Sequence, residues 1–330
     1  MSTEAILVSV VAPTHHRVAT LTLLLNSLNA QTLDHSRFEV IIVGDDGDPG
    51  AAVVAQFAQR TDIKVCFASV PNDPWHGRSP ALKRNYGAEL ASGAWLAFID
   101  DDCVADPDWL DGALPFFSDA RHGGVEGKKV IPALSPPTLT YRGLLLFTRP
   151  GGYQTANMFY RRGVFLDVGG FDTAFPFYLE DTDLAWSVLD RGYQIPHADR
   201  AVVQHPVPKA EPQRLLATAA RGALMPYLYK KHRDRFRASG LRTLARGHLP
   251  YLLIYLTAGI AAMVGRPTYA LFISLSVVPM SLAHSVKLFW GCRFTPHEAM
   301  LTTVLLPVVP LVTFVQLMRG NLKQGTLLLR

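Results

Sequence analysis

The chain has 330 residues, 49% of them hydrophobic, and a formal net charge of +5 at pH 7, which allows one large domain or two smaller ones. Its three cysteines, Cys66, Cys103 and Cys292, have no C-x-x-C spacing, which excludes a zinc or disulfide framework and fits a reducing compartment. Charge is divided unevenly along the chain. Residues 1–210 carry 17 Lys and Arg against 24 Asp and Glu (net −7), and residues 211–330 carry 15 against 3 (net +12). This asymmetry suggests an anionic partner, either nucleic acid or a membrane surface.

The first hundred residues alternate between two kinds of apolar pattern. Short β-branched runs indicate buried strands, and apolar residues at helical spacing indicate helices between them. In chain order, the predicted strands and helices cover 5–12, 17–30, 38–43, 50–60, 63–69, 80–91 and 94–99. Such alternation is typical of a parallel, doubly wound α/β sheet. The run at 5–12 is too short for a signal peptide and lacks a basic flank, so we expect this part of the chain to stay in the cytoplasm.

Beyond residue 106 the pattern is less regular, although it still mixes helices and strands. In chain order, the sequence predicts a helix from Pro107, a strand near 124–131, a loop over 132–153, a helix that begins within 179–186 and ends near Gly192, and a short strand at 201–204. We assign residues 1–210 to one α/β domain.

Three consecutive carboxylates, Asp100, Asp101 and Asp102, follow the predicted strand at 94–99. They would lie at the carboxyl end of that strand, where open α/β sheets bind their ligands. Adjacent like charges are tolerated when they are solvated, when a helix N-terminus follows, or when a cation binds between them. The run is therefore either a solvated, helix-capping turn or, through Asp100 and Asp102, a site for a hard divalent cation that also contacts phosphate oxygens.

The C-terminal part is first basic and then apolar. Residues 211–246 carry nine Lys and Arg against two acids, which indicates either a solvated helix face or amphipathic juxtamembrane helices on anionic lipid. Residues 247–330 contain three apolar stretches, 249–265, 269–286 and 299–318, each near the length of about 20 residues that spans a bilayer. Buried soluble helices are the alternative. We expect a multi-pass region in the cytoplasmic (inner) membrane, and interior prolines leave open whether 299–318 spans or re-enters.

Five segments follow one another over roughly residues 5–206, namely SVVAPTHHR, FEVIIVGDDGD, SPALKRNYGAELASGAWLAFIDDDC, NMFYRRGVFLDVGGFD and LEDTDLAWSVLDRGY. In this order they resemble the family 2 glycosyltransferases of the GT-A fold. The resemblance implies a GT-A catalytic domain with a Rossmann-like, mostly parallel doubly wound sheet, which binds a nucleotide sugar and a divalent cation, Mn²⁺ or Mg²⁺. The sequence lacks the Gln-x-x-Arg-Trp motif of the family's processive synthases, so a single addition is implied rather than polymerisation.

The resemblance also assigns a donor site. Asp45 would accept a hydrogen bond from the base N–H, with Asp46 as the alternative because Gly44 takes the place of the family's first aspartate. Arg84 would offer a permanent cation to the base or a phosphate, and Asn85 adjoins it. A solvated turn for the aspartates and a surface position for Arg84 are the alternatives. The remaining donor-binding candidates are Pro13, Asp101, and Asp100, which would face the ribose or the water shell of the metal.

Two residues are implied as metal ligands. Asp102 would bind the ion directly, and the ion would neutralise the charge that develops on the departing nucleoside diphosphate. His205 corresponds to a third metal ligand or a phosphate contact in relatives, although a lone histidine is also compatible with simple packing.

The catalytic segment is implied at Glu180 to Asp183. Asp181 would be the general base, and its position at a helix start is expected to favour the ionised form. Glu180 and Asp183 would be supporting contacts or charges that stabilise the helix start. Gly169 and Gly170 would permit a close turn near the donor sugar.

These features together predict an inverting, metal-dependent glycosyltransferase. Its donor would be a UDP-linked sugar, and its acceptor a lipid or lipid-linked glycan at the cytoplasmic membrane face, in cell-envelope polysaccharide or glycolipid synthesis. We expect no nucleic-acid partner, because the apolar stretches explain the adjacent basic segment better. The alternatives are a nucleotidyltransferase, whose Gly-rich phosphate loop is missing from residues 11–20, and a non-catalytic membrane-bound protein that binds nucleotide sugars.

Overall fold

The computed structural model of the chain describes residues 5–71, 79–207, 212–245 and 247–329. The chain divides into two compact units, of which the first combines Met1–Ala133 with Leu144–Val207 and the second combines Leu134–Gly143 with Pro208–Arg330. The boundaries predicted after residues 210 and 246 fall on residues outside the described ranges.

The first unit is built on one mixed sheet of eight strands. The strands are β1 (Val8–Pro13), β2 (Phe38–Asp45), β3 (Lys64–Val70), β4 (Trp95–Ile99), β5 (Val104–Ala105), β6 (Gly124–Val130), β7 (Asn157–Arg161) and β8 (His197–Gln204). Their order across the sheet is β3-β2-β1-β4-β7-β6-β8-β5. The pairs among β1 to β4 are parallel, as is β6 with β8, whereas β7 runs antiparallel to β4 and β6, and β5 to β8. The predicted α/β fold with a mostly parallel sheet is confirmed.

Helices cover both faces of this sheet. They are α1 (Val18–Asn29), α2 (Gly50–Ala58), α3 (Pro80–Leu90), α4 (Trp109–Ala113), α6 (Arg162–Asp167) and α7 (Glu180–Asp190), whereas α5 (Leu139–Leu144) lies in the second unit except for its last residue. Alternate residues of a strand point to opposite faces. Val8 and Val10 of β1 therefore join a core cluster with Leu21 of α1, while Val11 joins a second cluster with Leu184 of α7. Burial on both faces explains why the central strands read as continuous apolar runs.

The structure contains strands that the sequence pattern did not predict, β5 and β7. β7 begins with Asn157, a polar residue that is fully buried. Its side-chain amide donates to the carbonyl oxygens of Lys128 at 3.0 Å and Ala201 at 2.8 Å, and its oxygen accepts from Trp109 Nε1 at 2.8 Å. The strand is thus fixed by tertiary hydrogen bonds, which a periodicity search does not detect. The predicted strand at 201–204 is longer, because β8 begins at His197.

Strand direction decides which side chains meet at one edge of the sheet. β6 is antiparallel to β7, which is itself antiparallel to β4, so β6 and β8 point the same way as β1, β2 and β4. The carboxyl ends of these five strands converge at one edge. The residues at or directly after these ends include Thr14, Asp45, Asp100, Lys129 and His205.

A buried carboxylate, Glu39, ties β2 to its neighbours near the other edge. Its Oε1 accepts from Ser9 Oγ and from both the backbone N–H and Oγ of Ser92, each at 2.7 Å, and its Oε2 accepts from Lys64 Nζ at 2.6 Å. Burial alone would raise the pKa of Glu39, but the bonds from Lys64, Ser9 and Ser92 outweigh it and lower the pKa to about 2.

The second unit consists of helices. Besides most of α5, they are α8 (Arg214–Ala220), α9 (Met225–Lys231), α10 (Arg233–Ala238), α11 (Leu249–Met263), α12 (Pro267–Leu275), α13 (Val277–Phe289), α14 (Pro296–Leu305) and α15 (Val308–Gln324). The predicted basic segment corresponds to α8, α9 and α10.

One continuous helical stretch in the described part of the chain is long and apolar enough to cross a membrane. It is Pro267–Phe289, with 23 residues and a mean hydropathy of 1.5, and only 17% of its apolar window is buried. α14 and α15 meet the same criterion only as a pair, bent by 46° at the break that contains Pro307. α11 has 15 residues, fewer than the about 17 that a span requires. The described residues therefore offer one or two candidate spans, where the sequence predicted up to three.

Candidate active site

A cleft of about 430 Å³ opens at the carboxyl edge of the sheet. The predicted site residues that line it are Pro13, Arg84, Asp100, Asp101, Asp102, Glu180 and His205. Its walls also include four residues that the sequence analysis did not single out, His15, Arg17, Lys83 and Phe177. The cleft is therefore lined by opposite charges from several separate elements.

The turn after β4 is fastened to the turn after β1 through Asp101. Its Oδ2 accepts from Thr14 Oγ1 at 2.7 Å and its Oδ1 from Arg17 Nη1 at 3.1 Å, while the same Arg17 nitrogen donates to Asp102 Oδ2 at 2.7 Å. Asp101 is 4% exposed. Burial raises its pKa to about 6, although Thr14 and Arg17 act in the opposite direction. Asp101 thus fixes the acidic turn against the turn that follows β1.

Asp102 and His205 approach one another at the mouth of the cleft. Together with Cys103, their ligating atoms lie within 4.8 Å of one another. His205 Nδ1 lies 2.8 Å from the carbonyl oxygen of Pro206, which can only accept, so Nδ1 carries the proton and Nε2 keeps its lone pair for a ligand. Burial raises the pKa of the Cys103 thiol well above its usual value. The carboxylate and the imidazole, rather than the thiol, therefore fit a divalent cation.

Arg84 connects the acidic turn to the start of α7. Its Nη2 donates to Asp100 Oδ1 at 2.7 Å, its Nη1 lies 3.5 Å from Glu180 Oε1, and its guanidinium stands 5.6 Å from the centre of the Phe171 ring. The residue is 4% exposed. Because Arg84 is buried and lies between two carboxylates, a surface position is excluded, and it holds both carboxylates on the wall of the cleft.

Asp45 is the buried member of the Asp45–Asp46 pair, whereas Asp46 is exposed. Its Oδ1 lies 2.9 Å from Lys83 Nζ and its Oδ2 2.5 Å from His15 Nδ1. Lys83 is itself buried and donates to the Thr14 carbonyl at 2.7 Å. Asp45 therefore sits between two donors at the end of β2.

A second group of possible metal ligands surrounds Asp45. The ligating atoms of His15, His16, Asp45 and Asp48 lie within 4.8 Å of one another. The carboxylate of Asp48 accepts from the backbone N–H groups of His16 and Gly50, each at 2.8 Å. The ammonium of Lys83 lies 2.9 Å from Asp45 Oδ1. Its positive charge therefore already balances the carboxylate of Asp45, without a metal ion.

Gly169 and Gly170 form a turn that is held against α3. Both have positive φ, +89° and +67°, and a Cβ added at Gly170 would lie 2.7 Å from Asn85 Oδ1. The amide of Asn85 bonds the backbone of Phe171 in both directions, donating to its carbonyl and accepting from its N–H at 2.8 Å. The structure thus places Asn85 against the glycine turn, and this turn places the Phe171 ring beneath Arg84.

The start of α7 presents Glu180 and Asp181. The preceding Leu179 has φ +72°, a left-handed conformation that is strained for a bulky residue other than glycine. Asp181 Oδ1 accepts from the N–H of Thr182 at 2.7 Å. Burial and then the charge of Glu180 raise the pKa of Asp181 to about 7, and burial also raises the pKa of Glu180. Loss of solvent therefore outweighs the helix-start effect that the sequence suggested. Asp183 is buried one turn further on.

A second cavity, of about 240 Å³, adjoins Asp181. Arg84, Asp100, Glu180 and His205 line this cavity as well as the larger cleft. Its other walls mix apolar and polar side chains with one buried cation, and include Ile131, Leu144, Thr148, Gln154, Thr155 and Lys129. A molecule bound in this cavity would therefore lie beside a molecule bound in the cleft. Asp181 lines the cavity but not the cleft.

The sheet topology and the acidic cleft at its carboxyl edge agree with the GT-A class of α/β fold that the sequence resemblance implied. The model of the family described as Glycosyl transferase family 2 matches residues 9–180, more than half of the chain. The chain belongs to this family and is a glycosyltransferase.

Individual relatives agree with this assignment. Glycosyltransferase AglE of Haloferax volcanii is 25% identical over 315 residues, which cover 90% of this chain and 96% of that protein. The glucosyl-dolichyl phosphate glucuronosyltransferase of the same organism is 28% identical over 161 residues, 44% of this chain and 49% of its own. Mannosyltransferase PcManGT from Pyrobaculum calidifontis, solved in complex with GDP-Man and Mn²⁺, aligns over 94% of this chain and 86% of its own with a TM-score of 0.59 and 18% identity. This structural likeness supports the fold.

Proposed function

We propose that this glycosyltransferase is inverting and metal-dependent, and that it moves one sugar from a UDP-linked donor to a lipid or lipid-linked glycan. The reaction would take place at the cytoplasmic face of a membrane, in the synthesis of cell-envelope polysaccharide or glycolipid. One observation carries the proposal: a cleft with the Asp102–His205 pair opens beside a cavity that holds Asp181, a carboxylate whose pKa burial raises to about 7.

Asp102 and His205 are proposed to hold a divalent cation, Mn²⁺ or Mg²⁺. When bound, the ion supplies the positive charge that stabilises the departing nucleoside diphosphate. Arg17 now pairs with Asp102 at 2.7 Å and has a side chain that is 53% exposed, so it can turn away or add its charge to the same diphosphate. The Mn²⁺ found with PcManGT supports the choice of metal only through the shared fold.

Uracil is the base that we propose for the donor. Its edge presents a carbonyl acceptor, an N–H donor and a second carbonyl acceptor. Lys83 and His15 lie at the two oxygens of the Asp45 carboxylate, and we propose that these three side chains offer a base the complement, donor, acceptor and donor. Guanine would set its second donor, the amino group, against one of these two donors. Asp46, on the exposed side of the same turn, remains the alternative contact.

Asp181 is the proposed general base. The acceptor hydroxyl oxygen attacks the anomeric carbon from the face opposite the diphosphate, its proton passes to Asp181, and the electron pair of the broken bond leaves with the diphosphate. A pKa raised towards neutrality suits this task, because a base should bind the proton well and still be ionised at working pH. Glu180 and Arg84 would hold the base and Asp100 in place. Asn85, Gly169 and Gly170 would shape the donor-sugar side of the cleft, and Asp183 would fix the start of α7.

The lipid acceptor and the membrane location rest on the second unit and on one relative. The relative's name specifies a dolichyl phosphate-linked glucose as its acceptor. In this chain, Pro267–Phe289 is apolar and largely unburied, and α9 and α10 carry clustered basic residues. An apolar span beside basic helices is typical of a protein attached to a membrane with anionic lipid. We propose inner-membrane attachment with the catalytic unit in the cytoplasm.

A ligand screen tests the donor site without a known acceptor. Thermal unfolding of the full chain is measured with UDP, GDP and ADP, each with and without Mn²⁺, because a ligand at 100 times its Kd stabilises the folded state by about 2.7 kcal/mol. We expect stabilisation by UDP that needs Mn²⁺ and is lost in Asp102→Ala but kept in the exposed control Asp62→Ala. Equal binding by Asp102→Ala would refute the metal role, and a preference for GDP or ADP would refute uracil recognition.

A further inference from the structure

Lys129 is a buried cation in the wall of the cavity that holds Asp181. It is the second-last residue of β6, and its side chain is 5% exposed. Burial of an ammonium group is unfavourable unless negative charge lies nearby. Among the described residues, its recorded ion pair is with Glu126 Oε1, at 3.4 Å.

That ion pair is not what holds Glu126 in place. Glu126 Oε2 accepts from the N–H of Gly151 at 2.6 Å, and its Oε1 accepts from the N–H of Tyr153 at 2.9 Å. Two short backbone bonds therefore satisfy this carboxylate, and the contact with Lys129 is longer than either. The charge of Lys129 remains available to the cavity that the residue lines.

The other charged groups around Asp181 do not provide a free positive charge. The charge of Arg84 also lowers the pKa of Asp181, but Arg84 is paired with both Asp100 and Glu180, which carry the same sign as Asp181. His205 lies on the proposed metal site. From β7, the hydroxyl of Tyr160 is buried without a hydrogen-bond partner among the described residues, and burial raises its pKa well above the usual value, so it stays neutral.

We propose that Lys129 is a positioning residue that keeps Asp181 ionised and oriented towards the acceptor cavity, through its charge and without contact to the donor. This inference rests on the proposed role of Asp181 as the base. Burial and then the charge of Glu180 raise the pKa of Asp181, whereas the N–H of Thr182, the charge of Arg84 and the charge of Lys129 lower it. Without that charge Asp181 would hold its proton to a higher pH and would be a base over a narrower range.

A double-mutant cycle tests this coupling on the full chain in detergent, without any substrate. Thermal midpoints are measured at pH 8 and pH 5.5 for the wild type, Lys129→Met, Asp181→Asn and the combined variant. At pH 8 we expect Lys129→Met to lower the midpoint by about 3 °C more in the wild-type background than in the Asp181→Asn background. At pH 5.5 this difference should disappear, because Asp181 is then protonated.

The chain offers matched controls. Lys128→Met removes the same charge from an exposed neighbour on the opposite face of β6 and should show no coupling to Asp181→Asn at either pH. Lys129→Arg should behave like the wild type, and Lys129→Gln replaces Lys129→Met if the latter does not fold. In turnover of a UDP-linked sugar with a lipid-linked acceptor, Lys129→Met or Lys129→Gln should move the acid limb of kcat upwards by about one pH unit, and Lys129→Arg should not.

Equal effects of Lys129→Met in both backgrounds at pH 8 would overturn the inference, as would an unchanged acid limb. Full activity of Asp181→Asn would instead refute the proposed base, so the two failures are distinguishable.

Discussion

Glu39 is buried and Asp181 is half-buried in the same catalytic unit, yet their surroundings move their pKa values in opposite directions. Glu39 receives four hydrogen bonds from Ser9, Lys64 and Ser92. Asp181 receives one bond from the adjacent backbone and has the charge of Glu180 beside it. The number of donors explains the difference, since hydrogen bonds favour the ionised form and burial alone favours the neutral one. The first residue serves stability and the second is suited to proton transfer.

Replacement of Glu39 should weaken folding in a pH-dependent way. Its pKa is about 2 in the folded state against about 4.3 in an unfolded chain, so the ionised group contributes about 3 kcal/mol above pH 4.3. That contribution is lost as pH falls through the interval between these two values. Glu39→Gln should therefore be destabilised at pH 7 by about 3 kcal/mol in urea unfolding, and the gap to wild type should close towards pH 2.

The exposed Glu89 provides the control, and Glu89→Gln should unfold like the wild type at both pH values. A Glu39→Gln variant that is as stable as the wild type at pH 7 would show that the four hydrogen bonds contribute no net stability.

Substitution of the proposed base should separate turnover from donor binding. Asp181→Asn keeps the shape of the side chain but removes its basicity, so kcat should fall by about 10²- to 10⁴-fold, while the Kd for UDP in Mn²⁺ stays nearly constant. In the wild type, the raised pKa predicts that kcat declines below about pH 7, because the protonated carboxyl cannot accept the proton of the acceptor.

Asp190→Asn, at the exposed end of the same helix, should leave kcat unchanged. If Asp181→Asn retains the wild-type rate, Asp181 is not the general base.

At the scale of elements, the site depends on short connections that fix strand ends and helix starts. The turn at Gly169 and Gly170 is one of them, since Asn85 of α3 bonds the backbone of Phe171 in both directions. The neighbouring left-handed Leu179 sets the direction of α7. Strain at such positions is retained where the surrounding contacts enforce it.

The two glycines of this turn give a matched pair of substitutions. Both have positive φ, but a Cβ would meet Asn85 Oδ1 at 2.7 Å only at Gly170, whereas nothing lies within 4 Å at Gly169. Gly169→Ala should therefore cost only the left-handed strain of about 1 kcal/mol. Gly170→Ala should be destabilised further, and should also weaken UDP binding if the turn supports Arg84. Equal unfolding midpoints for the two variants would show that Asn85 adapts freely.

Much of this element-level arrangement was readable in the sequence, because apolar periodicity marked the strands β1 to β4 and the helices between them. The acidic turn after β4 also followed from the rule that ligands bind at carboxyl strand ends. The sequence did not reveal β7, whose buried Asn157 is fixed by tertiary bonds. It also did not reveal the pairs of Arg17 with Asp101 or Lys83 with Asp45, because these join residues far apart in the chain and depend on strand register. The available signal for His15 and Arg17 was the His-His-Arg run that follows Thr14, just after the end of β1.

The whole molecule joins an acidic catalytic unit to a basic, apolar one. The candidate span Pro267–Phe289 is largely unburied, which is unfavourable in water and favourable in a bilayer. Membranes carrying the full chain should therefore retain it in 1 M NaCl and in alkaline carbonate, and release it only in detergent. Quantitative release by salt alone would reduce the second unit to an electrostatic, peripheral anchor.

The central claim, metal-dependent single displacement by this site, is tested most directly by the anomeric configuration of the product. The purified full chain is supplied with an α-linked UDP-sugar, acceptor and Mn²⁺, and the new glycosidic bond is identified by proton NMR, with an EDTA-treated sample in parallel. We expect a β-linked product that is formed only with the metal, because in the proposed mechanism Asp181 directs attack from the face opposite the diphosphate. An α-linked product, or undiminished transfer in EDTA, would contradict the proposed mechanism.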